Sequence, residues 1–414
     1  MIQHEQGSGS GAGQPLLRPA RLGDLRLPNR VVMAPLTRAR AAGGDLAPGG
    51  LHAAYYAQRA TAGLIITEGT WVSERAVGFP GVPGIYSEPQ VTAWQQVTSA
   101  VHALGGRIVA QLWHAGAHSH PDHLGGARPA GPSAVNPGEM SPTRAGRRET
   151  VTPRAMTLAD ISTVLSDYGR AAVLARRAGF DGVEIAANGT YLIPQFLNPR
   201  LNRRTDRYGA GSHRLVLEIV DTVAAAWAGR RVGVRLSPYW SDADRSPASP
   251  RRGRYPYRAD EETLAGYDAL VAELSERPVA YLHLRGRAPG APGAAPDFGA
   301  IARYRPLLRA PLIANHGFGR ETGNAIVGAG IADAVSFGRL FIANPDLVAR
   351  FALGHEPAAS DRATHYRGGA RGYIDYPVWP GAGSPRPGGA SSRAGRTPPR
   401  GRSGGRRVSG HPGS

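Results

Sequence analysis

The stretch PLIANHGFGRETGNAIVGAGIADAVSFGR, residues 311–339, contains the unit that decides the fold. Its two short apolar runs, PLIAN and ADAVSFG, have the composition of buried strands, and a helical pattern fills the gap between them. Strands that alternate with helices are typical of a parallel sheet, because each helix returns the chain to the end from which the next strand starts. We therefore predict one β–α–β unit here.

The same alternation recurs along the chain, with helical patterns in the gaps between strand-like runs. Eight such runs match one closed barrel better than two open sheets. We therefore predict an α/β fold of the (β/α)8 TIM-barrel type. The runs begin at Val31, Leu64, Ile108, Gly182, Val232, Val279, Pro311 and Ala332.

Two of the gaps show the helical period directly. Within residues 216–223, apolar side chains recur at the spacing of one buried helical face. A second apolar stripe begins at Ile161. Thr157, followed three positions later by Asp160, is a capping pair that predicts where this second helix begins, and Gly179 suits its end.

Composition divides the chain into three parts. Residues 1–13 are rich in Gly and Ser, and residues 381–414 in Gly, Pro, Ser and Arg, so neither segment has enough apolar side chains to offset the entropy of ordering. We predict a single folded domain over residues 14–380 between two disordered tails. Within the domain, residues 115–156 lack periodicity, which predicts a long excursion over the barrel mouth.

The 414 residues carry a formal net charge of +18, which suggests an acidic partner such as nucleic acid. All 49 basic residues are arginine, however, and seven of them lie in residues 381–414, which contain no acid. We therefore do not expect the folded domain to bind nucleic acid. The alternative that the Arg/Gly-rich tail binds single-stranded RNA stays open.

Composition also bears on location and on metals. No apolar run approaches about 18 residues, so we expect no membrane span. The first residues lack the basic start and apolar stretch of a secretory signal, which favours a cytoplasmic location. The chain has no cysteine and no HExxH motif, so we expect no metal site. The choice between a monomer and a homodimer stays open.

Glycines follow the seventh and eighth predicted strands at Gly317 and Gly338, and Arg339 comes directly after the second. In a β/α barrel the functional groups lie at the carboxyl ends of the strands, and the ends of the last two commonly bind phosphate. Glycine lets backbone N–H groups approach an anion, and arginine supplies a fixed charge. We predict a phosphate site here. The alternative is that the glycines only make turns and Arg339 forms a surface ion pair.

Eight motifs, in the same order as in the family and spread over residues 16–379, resemble the Old Yellow Enzyme family. Its members are FMN-containing, NAD(P)H-dependent ene-reductases on a β/α barrel. The resemblance implies FMN as cofactor, NAD(P)H as reductant and a small-molecule substrate. The absence of a GxGxxG motif between a strand and a helix agrees with it, since donor and substrate share one open face in this family. The motifs are LPNRVVMAPLTR (27–38), YYAQRATAGLIITEGT (55–70), QLWHAG (111–116), GFDGVEI (179–185), QFLNPRLNRRTDRYG (195–209), VGVRLSP (232–238), FGRLFIANPDL (337–347) and GYIDYP (372–377).

The resemblance implies a set of flavin-binding residues. Arg235 matches the arginine beside the N1–C2 edge of the flavin, where positive charge favours the reduced ring. Gln111 matches the side chain that hydrogen-bonds the pyrimidine edge, and Thr37 matches the residue near the C4 carbonyl. The full set implied is Pro35, Leu36, Thr37, Gly69, Gln111, Arg235, Gly317, Phe318, Gly338 and Arg339.

A second implied set surrounds the substrate. Tyr191 matches the tyrosine of the family that protonates the α-carbon of the alkene. Asn188 is the second implied catalytic residue, as a donor to the substrate carbonyl. The residues implied to line the substrate pocket are Trp113, Phe79, Tyr366, Ala186 and Gly189.

The chain departs from the family after the fourth strand. Family members carry there a His followed three residues later by Asn or a second His, and this pair binds the substrate carbonyl as it gains negative charge. Aligned without gaps, Ala186 and Gly189 occupy the two positions. With Thr190 taken as an insertion, Asn188 survives but the histidine is still missing. Removal of one such donor typically costs about 10²–10³ in rate.

Two functions are compatible with this departure. The leading one is an FMN-dependent NAD(P)H oxidoreductase that transfers hydride through flavin N5 to an activated alkene, such as an enone or a quinone. Its substrate is activated through Asn188, Thr190, a backbone donor or its own electron deficiency. The alternative is a biosynthetic tailoring flavoenzyme that desaturates or isomerises a bulky intermediate in the space left by Ala186 and Gly189.

Overall fold

The computed structural model describes residues 13–41, 43–241, 257–289 and 294–379. Most of its strands are short, and they alternate with helices along the chain. The strands, numbered along the chain, are β1 (Ala20–Leu22), β2 (Leu25–Leu27), β3 (Val31–Met33), β4 (Leu64–Trp71), β5 (Ile108–Trp113), β6 (Ala130–Gly131), β7 (Met140–Thr143), β8 (Gly146–Glu149), β9 (Arg154–Ala155), β10 (Gly182–Ala187), β11 (Val232–Leu236), β12 (Val279–Arg285), β13 (Leu312–Asn315) and β14 (Ala334–Phe337).

Eight of these strands, β3 to β5 and β10 to β14, form one closed parallel barrel. Each pairs with the next barrel strand along the chain, and β14 pairs with β3 to close the ring. They coincide with the eight predicted runs, so the predicted (β/α)8 barrel is confirmed. Their carboxyl ends all lie at one end of the barrel, because every pairing is parallel.

Helices fill the gaps between the barrel strands, as the periodicity predicts. The side chains of Thr157 and Asp160 form the predicted capping pair: Asp160 N donates to Thr157 Oγ1 at 3.1 Å, and Thr157 N donates to Asp160 Oδ2 at 2.7 Å. Gly179 ends the same helix with a φ of +84°. The helices are α1 (Gly50–Ala57), α2 (Glu88–Ala103), α3 (Leu158–Arg177), α4 (Leu192–Leu197), α5 (Arg214–Ala225), α6 (Glu261–Ser275), α7 (Phe298–Ala302), α8 (Arg320–Gly328), α9 (Arg339–Ala343) and α10 (Leu347–Leu353).

An antiparallel hairpin of β1 and β2, absent from the sequence-based prediction, precedes the barrel. Its leucines belong to an apolar cluster with side chains of the barrel strands such as Val32 and Ile313. Gly23 makes the turn with a φ of +58°, and a Cβ there would lie 2.4 Å from the carbonyl oxygen of Arg230. The turn therefore needs glycine for both conformation and space.

The segment over residues 115–156 is more regular than its sequence suggests. It contains the parallel pair β6 and β9 and the antiparallel pair β7 and β8. Strands of two to four residues are too short to show an alternating pattern, which is why the sequence predicts only an excursion.

Two sequence predictions concern residues that the structure leaves undescribed. The predicted tails, 1–13 and 381–414, lie outside the described residues except for Gly13. The same holds for the possible RNA-binding role of the second tail. Within the described residues, no helix combines the length and the apolarity needed to cross a bilayer.

Candidate active site

A chain of buried hydrogen bonds crosses the barrel interior, and Glu184 of β10 is its centre. Oε1 of Glu184 accepts from Gln111 Nε2 of β5 at 2.8 Å. Oε2 of Glu184 accepts from His283 Nδ1 of β12, also at 2.8 Å. All three side chains are buried, so these bonds act in a medium of low polarity, where they are strong.

The chain continues from His283 to Arg235 of β11. Ser336 Oγ of β14 donates to His283 Nε2 at 2.7 Å and accepts from Asn315 Nδ2 of β13 at 2.8 Å. Asn315 Oδ1 in turn accepts from Arg235 Nη2 at 3.1 Å. Six side chains on six barrel strands are thereby fixed relative to one another.

Glu184 and Arg235 are opposite charges within this network. Burial alone would raise the pKa of Glu184, but His283 and Arg235 outweigh it and hold the pKa below its ordinary value. Burial lowers the pKa of Arg235 to about 10, against the opposing effect of Glu184. Burial also lowers the pKa of His283. At neutral pH the network therefore contains a carboxylate, a guanidinium and a neutral imidazole.

Two atoms of the network fit the polar edge of a planar ring such as isoalloxazine. Because Gln111 donates its amide nitrogen to Glu184, its Oε1 is left as an acceptor for a ring N–H. Arg235 Nε is buried and has no hydrogen-bond partner among the described residues. An unsatisfied buried guanidinium N–H is costly, and the electron-rich edge of a flavin would satisfy it. These residues fit FMN.

The predicted phosphate site lies at the ends of β13 and β14, which run side by side. Gly317 has a φ of +85°, and a Cβ there would lie 2.8 Å from Pro289 Cγ, so the position requires glycine. Arg339 is exposed, and none of its described neighbours forms an ion pair with it. The Phe318 ring packs on Phe298 with centroids 5.9 Å apart, which leaves only its backbone to face an anion.

Residues 35–37 leave β3 next to Gly338. Ala34 N donates to Phe337 O at 3.1 Å and continues the pairing of β3 with β14. A Cβ at Gly338 would lie 3.2 Å from Leu36 Cδ2, so the leucine packs directly on this glycine. Pro35, Leu36 and Thr37 are all half-buried. Residues 35–37, implied to contact the flavin ring, therefore adjoin Gly338, which is implied to bind the flavin phosphate.

Gly69 lies inside β4, where a tryptophan ring covers it. A Cβ at Gly69 would lie 2.3 Å from Trp113 Cε3. The Trp113 ring stacks on Trp71 with centroids 4.2 Å apart. The structure thus gives Gly69 a packing role, because only glycine admits the Trp113 ring at this position. A contact between Gly69 and the flavin stays a prediction.

Tyr191, the predicted proton donor, stands directly before α4. Its ring meets the Trp113 ring edge to face, with centroids 4.6 Å apart. Burial raises the pKa of Tyr191 well above its ordinary value, with contributions from Glu139 and Tyr366, while Arg235 opposes them. The phenol therefore keeps its proton at neutral pH, as a proton donor must.

The two positions of the missing donor pair are buried at the end of β10. Ala186 carries no polar side-chain atom, and Gly189 N already donates to Ser237 Oγ at 2.7 Å. Asn188 is half-buried, and its Oδ1 has no hydrogen-bond partner among the described residues. This oxygen can only accept a hydrogen bond, so it does not bear on the predicted role of Asn188 as a donor to the substrate carbonyl, which stays a prediction.

An imidazole that the sequence analysis missed lies beside Tyr191. The rings of His118 and Tyr191 meet edge to face at 5.4 Å, and His118 Nδ1 lies 3.4 Å from Thr190 Oγ1. Gln195 holds the backbone beside each of these side chains. Its Oε1 accepts from Ala117 N, directly before His118, and its Nε2 donates to Thr190 O. The signal was present in the sequence, because His118 follows the third strand in a glycine-containing turn, where barrel enzymes carry functional side chains.

Phe79 and Tyr366, both implied to line the substrate pocket, lie together. Their ring centroids are 5.8 Å apart. Tyr366 is 58% exposed, and its phenol is one of the groups that raise the pKa of Tyr191. Tyr366, next to Phe79, is therefore close enough to the predicted proton donor, Tyr191, to affect its pKa.

The chain is similar to a well-defined set of proteins. The family profile described as the NADH:flavin oxidoreductase / NADH oxidase family matches residues 15–357. The flavin oxidoreductase hxnT of Emericella nidulans is 37% identical over 392 residues, which cover 88% of this chain and 97% of that protein. The 12-oxophytodienoate reductase 1 of Oryza sativa subsp. japonica is 38% identical over 383 residues, with 88% and 93% covered. The structure of morphinone reductase in complex with tetrahydroNAD shares 41% identity and a TM-score of 0.79, with 88% and 97% covered.

Proposed function

The chain belongs to the NADH:flavin oxidoreductase / NADH oxidase family, which includes the Old Yellow Enzymes, and from this we propose how its residues reduce an activated alkene. It is an FMN-dependent NAD(P)H oxidoreductase of Old Yellow Enzyme type. Bound FMN would supply the hydride chemistry, with NAD(P)H as the reductant and the β-carbon of the alkene as the acceptor. No observation favours the alternative of a desaturase or an isomerase.

The observation that carries the proposal is the buried network that ends at Gln111 and Arg235. We assign Gln111 Oε1 to a ring N–H of FMN and the Arg235 guanidinium to the edge of the ring that gains negative charge on reduction. Backbone N–H groups at Gly317 and Gly338, together with the Arg339 guanidinium, are assigned to the phosphate. Phe318 contributes through its backbone.

Tyr191 supplies the proton of the reaction. The β-carbon receives a hydride, the double bond opens, and the electron pair on the α-carbon takes the phenol proton. The alkene thus gains one hydride and one proton, and water returns a proton to the phenolate. Trp113 and His118 contact the Tyr191 ring, which fixes the phenol in one orientation.

The substrate carbonyl meets a different environment from that in the rest of the family. Asn188 is the remaining side-chain donor from the predicted set, and Thr190, two positions further along the chain, lies 3.4 Å from His118 Nδ1 through its Oγ1. We propose that such weak activation favours electron-poor alkenes such as quinones over simple enones. Two relatives are named as reductases of 12-oxophytodienoate and morphinone, which supports a reductive reaction.

Three finer points are part of the proposal. NADPH is proposed as the reductant, and the experiment below decides between NADPH and NADH. A cytoplasmic location is proposed because NAD(P)H is regenerated inside cells. The folded domain spans residues 14–380, as a monomer or a homodimer.

The test begins with the absorption spectrum of the purified protein. We expect bound flavin, anaerobic reduction of that flavin by NADPH, and faster reoxidation by a quinone than by cyclohexenone. NADH in place of NADPH checks the choice of reductant. A colourless protein that takes up no added FMN contradicts the cofactor assignment. Reoxidation by cyclohexenone as fast as by the quinone contradicts the proposed substrate class and leaves the cofactor assignment intact.

A further inference from the structure

A buried carboxylate behind the end of β3 binds two consecutive backbone N–H groups. Glu68 of β4 is 1% exposed, and its Oε2 accepts from Arg38 N and from Ala39 N, both at 3.1 Å. Ala39 has a φ of +56°, a left-handed conformation that is strained for alanine. Two successive N–H groups turned toward one anion form a nest, so the carboxylate compensates for the strain of this turn.

The second oxygen of Glu68 faces a histidine. Oε1 lies 3.6 Å from His52 Nε2, and neither atom has a hydrogen-bond partner among the described residues. His52 Nδ1 accepts from Gly49 N at 3.0 Å, which places the ring proton on Nε2. The carboxyl group is therefore surrounded by three N–H groups. These N–H groups favour the carboxylate form, against the effect of burial.

The strained turn carries two buried arginines that hold the C-terminal segment. Arg38 donates from Nη2 to Gly372 O at 2.7 Å and from Nε to His365 O at 3.0 Å. Arg40 donates to three carbonyl oxygens within residues 364–367, at 2.7, 2.8 and 2.9 Å. The backbone of the segment is thus attached to the turn by five hydrogen bonds from guanidinium groups, which are the strong class of hydrogen bond.

Tyr366 lies within this segment, between carbonyl groups that the arginines bind. Its ring faces Phe79 across 5.8 Å. The position of Tyr366 therefore depends on the turn, and the turn depends on Glu68.

We propose that Glu68 is a positioning residue for the substrate pocket: its carboxylate fixes the turn at residues 38–40, whose arginines hold residues 364–373 and thereby place Tyr366 opposite Phe79. The importance of Tyr366 for substrate rests on the proposed function. The control of residues 364–373 by Glu68 does not, because it rests on contacts within the chain alone.

The charge of Glu68 makes this positioning sensitive to pH. Burial raises the pKa of Glu68 to about 7, although two backbone N–H groups, Arg38 and Arg40 oppose the rise. Burial lowers the pKa of His52 to about 4, so this neighbour stays neutral through the range in which Glu68 titrates. The other ionisable groups that face Glu68 are tyrosines whose pKa is raised by burial, namely Tyr56 and Tyr373.

The test compares Glu68→Gln with Glu74→Gln, an exposed glutamate in the turn that follows the same strand. In the FMN-loaded protein at about pH 8, we expect amide hydrogen exchange within residues 364–373 to be about tenfold faster in Glu68→Gln than in the wild type. Exchange within β10 serves as the internal reference and should stay unchanged. Equal exchange in all three proteins overturns the proposal.

A second measurement needs only the wild type, so a Glu68→Gln protein that does not fold leaves the proposal testable. Between about pH 8 and about pH 6, exchange within residues 364–373 should become faster after correction for the intrinsic pH dependence, although protonation of Glu68 stabilises the fold as a whole and should slow exchange within β10. Exchange within residues 364–373 that stays constant or slows over this range overturns the proposal.

Substrate kinetics separate positioning from mere stability. The KM for a bulky quinone should rise about tenfold in Glu68→Gln, and the same change should have little further effect in a Tyr366→Ala background. Additive effects in the double variant contradict the assigned route through Tyr366. If NADPH does not reduce the wild-type flavin, the proposed function fails, whereas the exchange experiments still decide the role of Glu68.

Discussion

His283 donates from Nδ1 to Oε2 of Glu184 at 2.8 Å, and neither side chain is exposed to solvent. Because Nδ1 donates, His283 Nε2 must accept, which sets the direction of the next bond from Ser336. The other oxygen of Glu184 orients the Gln111 amide in the same way. One buried carboxylate therefore sets the hydrogen-bonding direction at both ends of the cofactor-facing network.

We predict that Glu184→Gln destabilises the protein by about 3–5 kcal/mol, because it leaves the buried Arg235 charge without its counter-charge. Urea unfolding of the FMN-free protein measures this loss. Glu276→Gln is the matched control, since Glu276 forms only an exposed ion pair with Arg309 and should change the free energy of unfolding by less than about 1 kcal/mol. Equal losses in both variants would show that the Glu184 charge does not stabilise the barrel.

Arg339→Ala should weaken FMN binding by about 10- to 100-fold, because one charge-assisted hydrogen bond to the phosphate is lost. Fluorescence quenching during titration of the FMN-free protein with FMN measures the Kd. Arg309→Ala removes another exposed arginine, which precedes β13 and so lies at the opposite end of that strand, and should leave the Kd unchanged. An unchanged Kd in Arg339→Ala would favour the alternative in which this arginine has only a surface role.

Gly69→Ala should destabilise the protein by about 1–3 kcal/mol, because the new Cβ would lie 2.3 Å from Trp113 and push the ring off Trp71. Thermal or urea unfolding measures the effect, and the near-ultraviolet circular dichroism of the stacked tryptophans should change with it. Gly266→Ala is the control, since a Cβ added at this position of α6 would have no neighbour within 4 Å. Its effect should be neutral or stabilising.

The barrel was predictable from the sequence because each strand is a short apolar run and the helices between them keep a period of 3.6 residues. The prediction of a phosphate site, which no bound phosphate tests, rests on a similarly local pattern. Gly317 and Gly338 follow two neighbouring strands, and the parallel topology brings the ends of such strands together. In both cases the information lies within a few residues of the feature that it predicts.

The buried network was not predictable in the same way. Glu184 appears in the sequence as one acid in an otherwise apolar strand, and its partner His283 is 99 positions away. No local pattern states which polar side chains meet inside the barrel. Gly69 shows the same limit, because the tryptophan that covers it is 44 positions distant in the chain.

The pH dependence of stability should carry the signature of Glu68. Its pKa is about 7 in the folded protein and about 4.3 in an unfolded chain. Because the folded state binds the proton more tightly, the contribution of Glu68 to the free energy of unfolding is present at low pH. It is lost as the pH rises through about 7, by up to about 4 kcal/mol. Urea unfolding of the wild type and of Glu68→Gln at several pH values isolates the difference.

His52 and His114 change the free energy of unfolding with pH in the opposite direction from Glu68. The stability of the wild type alone therefore does not isolate the effect of Glu68. Burial lowers their pKa values to about 4 and about 3. Both imidazoles therefore destabilise the fold as the pH falls below about 6.5. The contribution of His52 depends on Glu68, because the two side chains are 3.6 Å apart, so the comparison is cleanest above about pH 7.5, where both imidazoles are neutral in the folded and in the unfolded chain. A difference that does not vary between about pH 5 and about pH 8 would contradict the raised pKa of Glu68.

Tyr191→Phe separates the two half-reactions. NADPH should reduce the flavin of this variant at the wild-type rate, whereas turnover of an enone should fall by about 10²–10⁴ because no phenol remains to protonate the α-carbon. Stopped-flow absorbance under anaerobic conditions follows both steps.

Quinone reduction by Tyr191→Phe should be nearly unaffected, since the oxygen atoms of a quinone can take their protons from water. Tyr376→Phe is the control, since it removes a phenol that accepts a hydrogen bond from Asp361 N and is not one of the implied site residues. If enone turnover survives in Tyr191→Phe, carbon protonation by this phenol is not part of the reaction, and the group beside it, His118, becomes the next residue to replace.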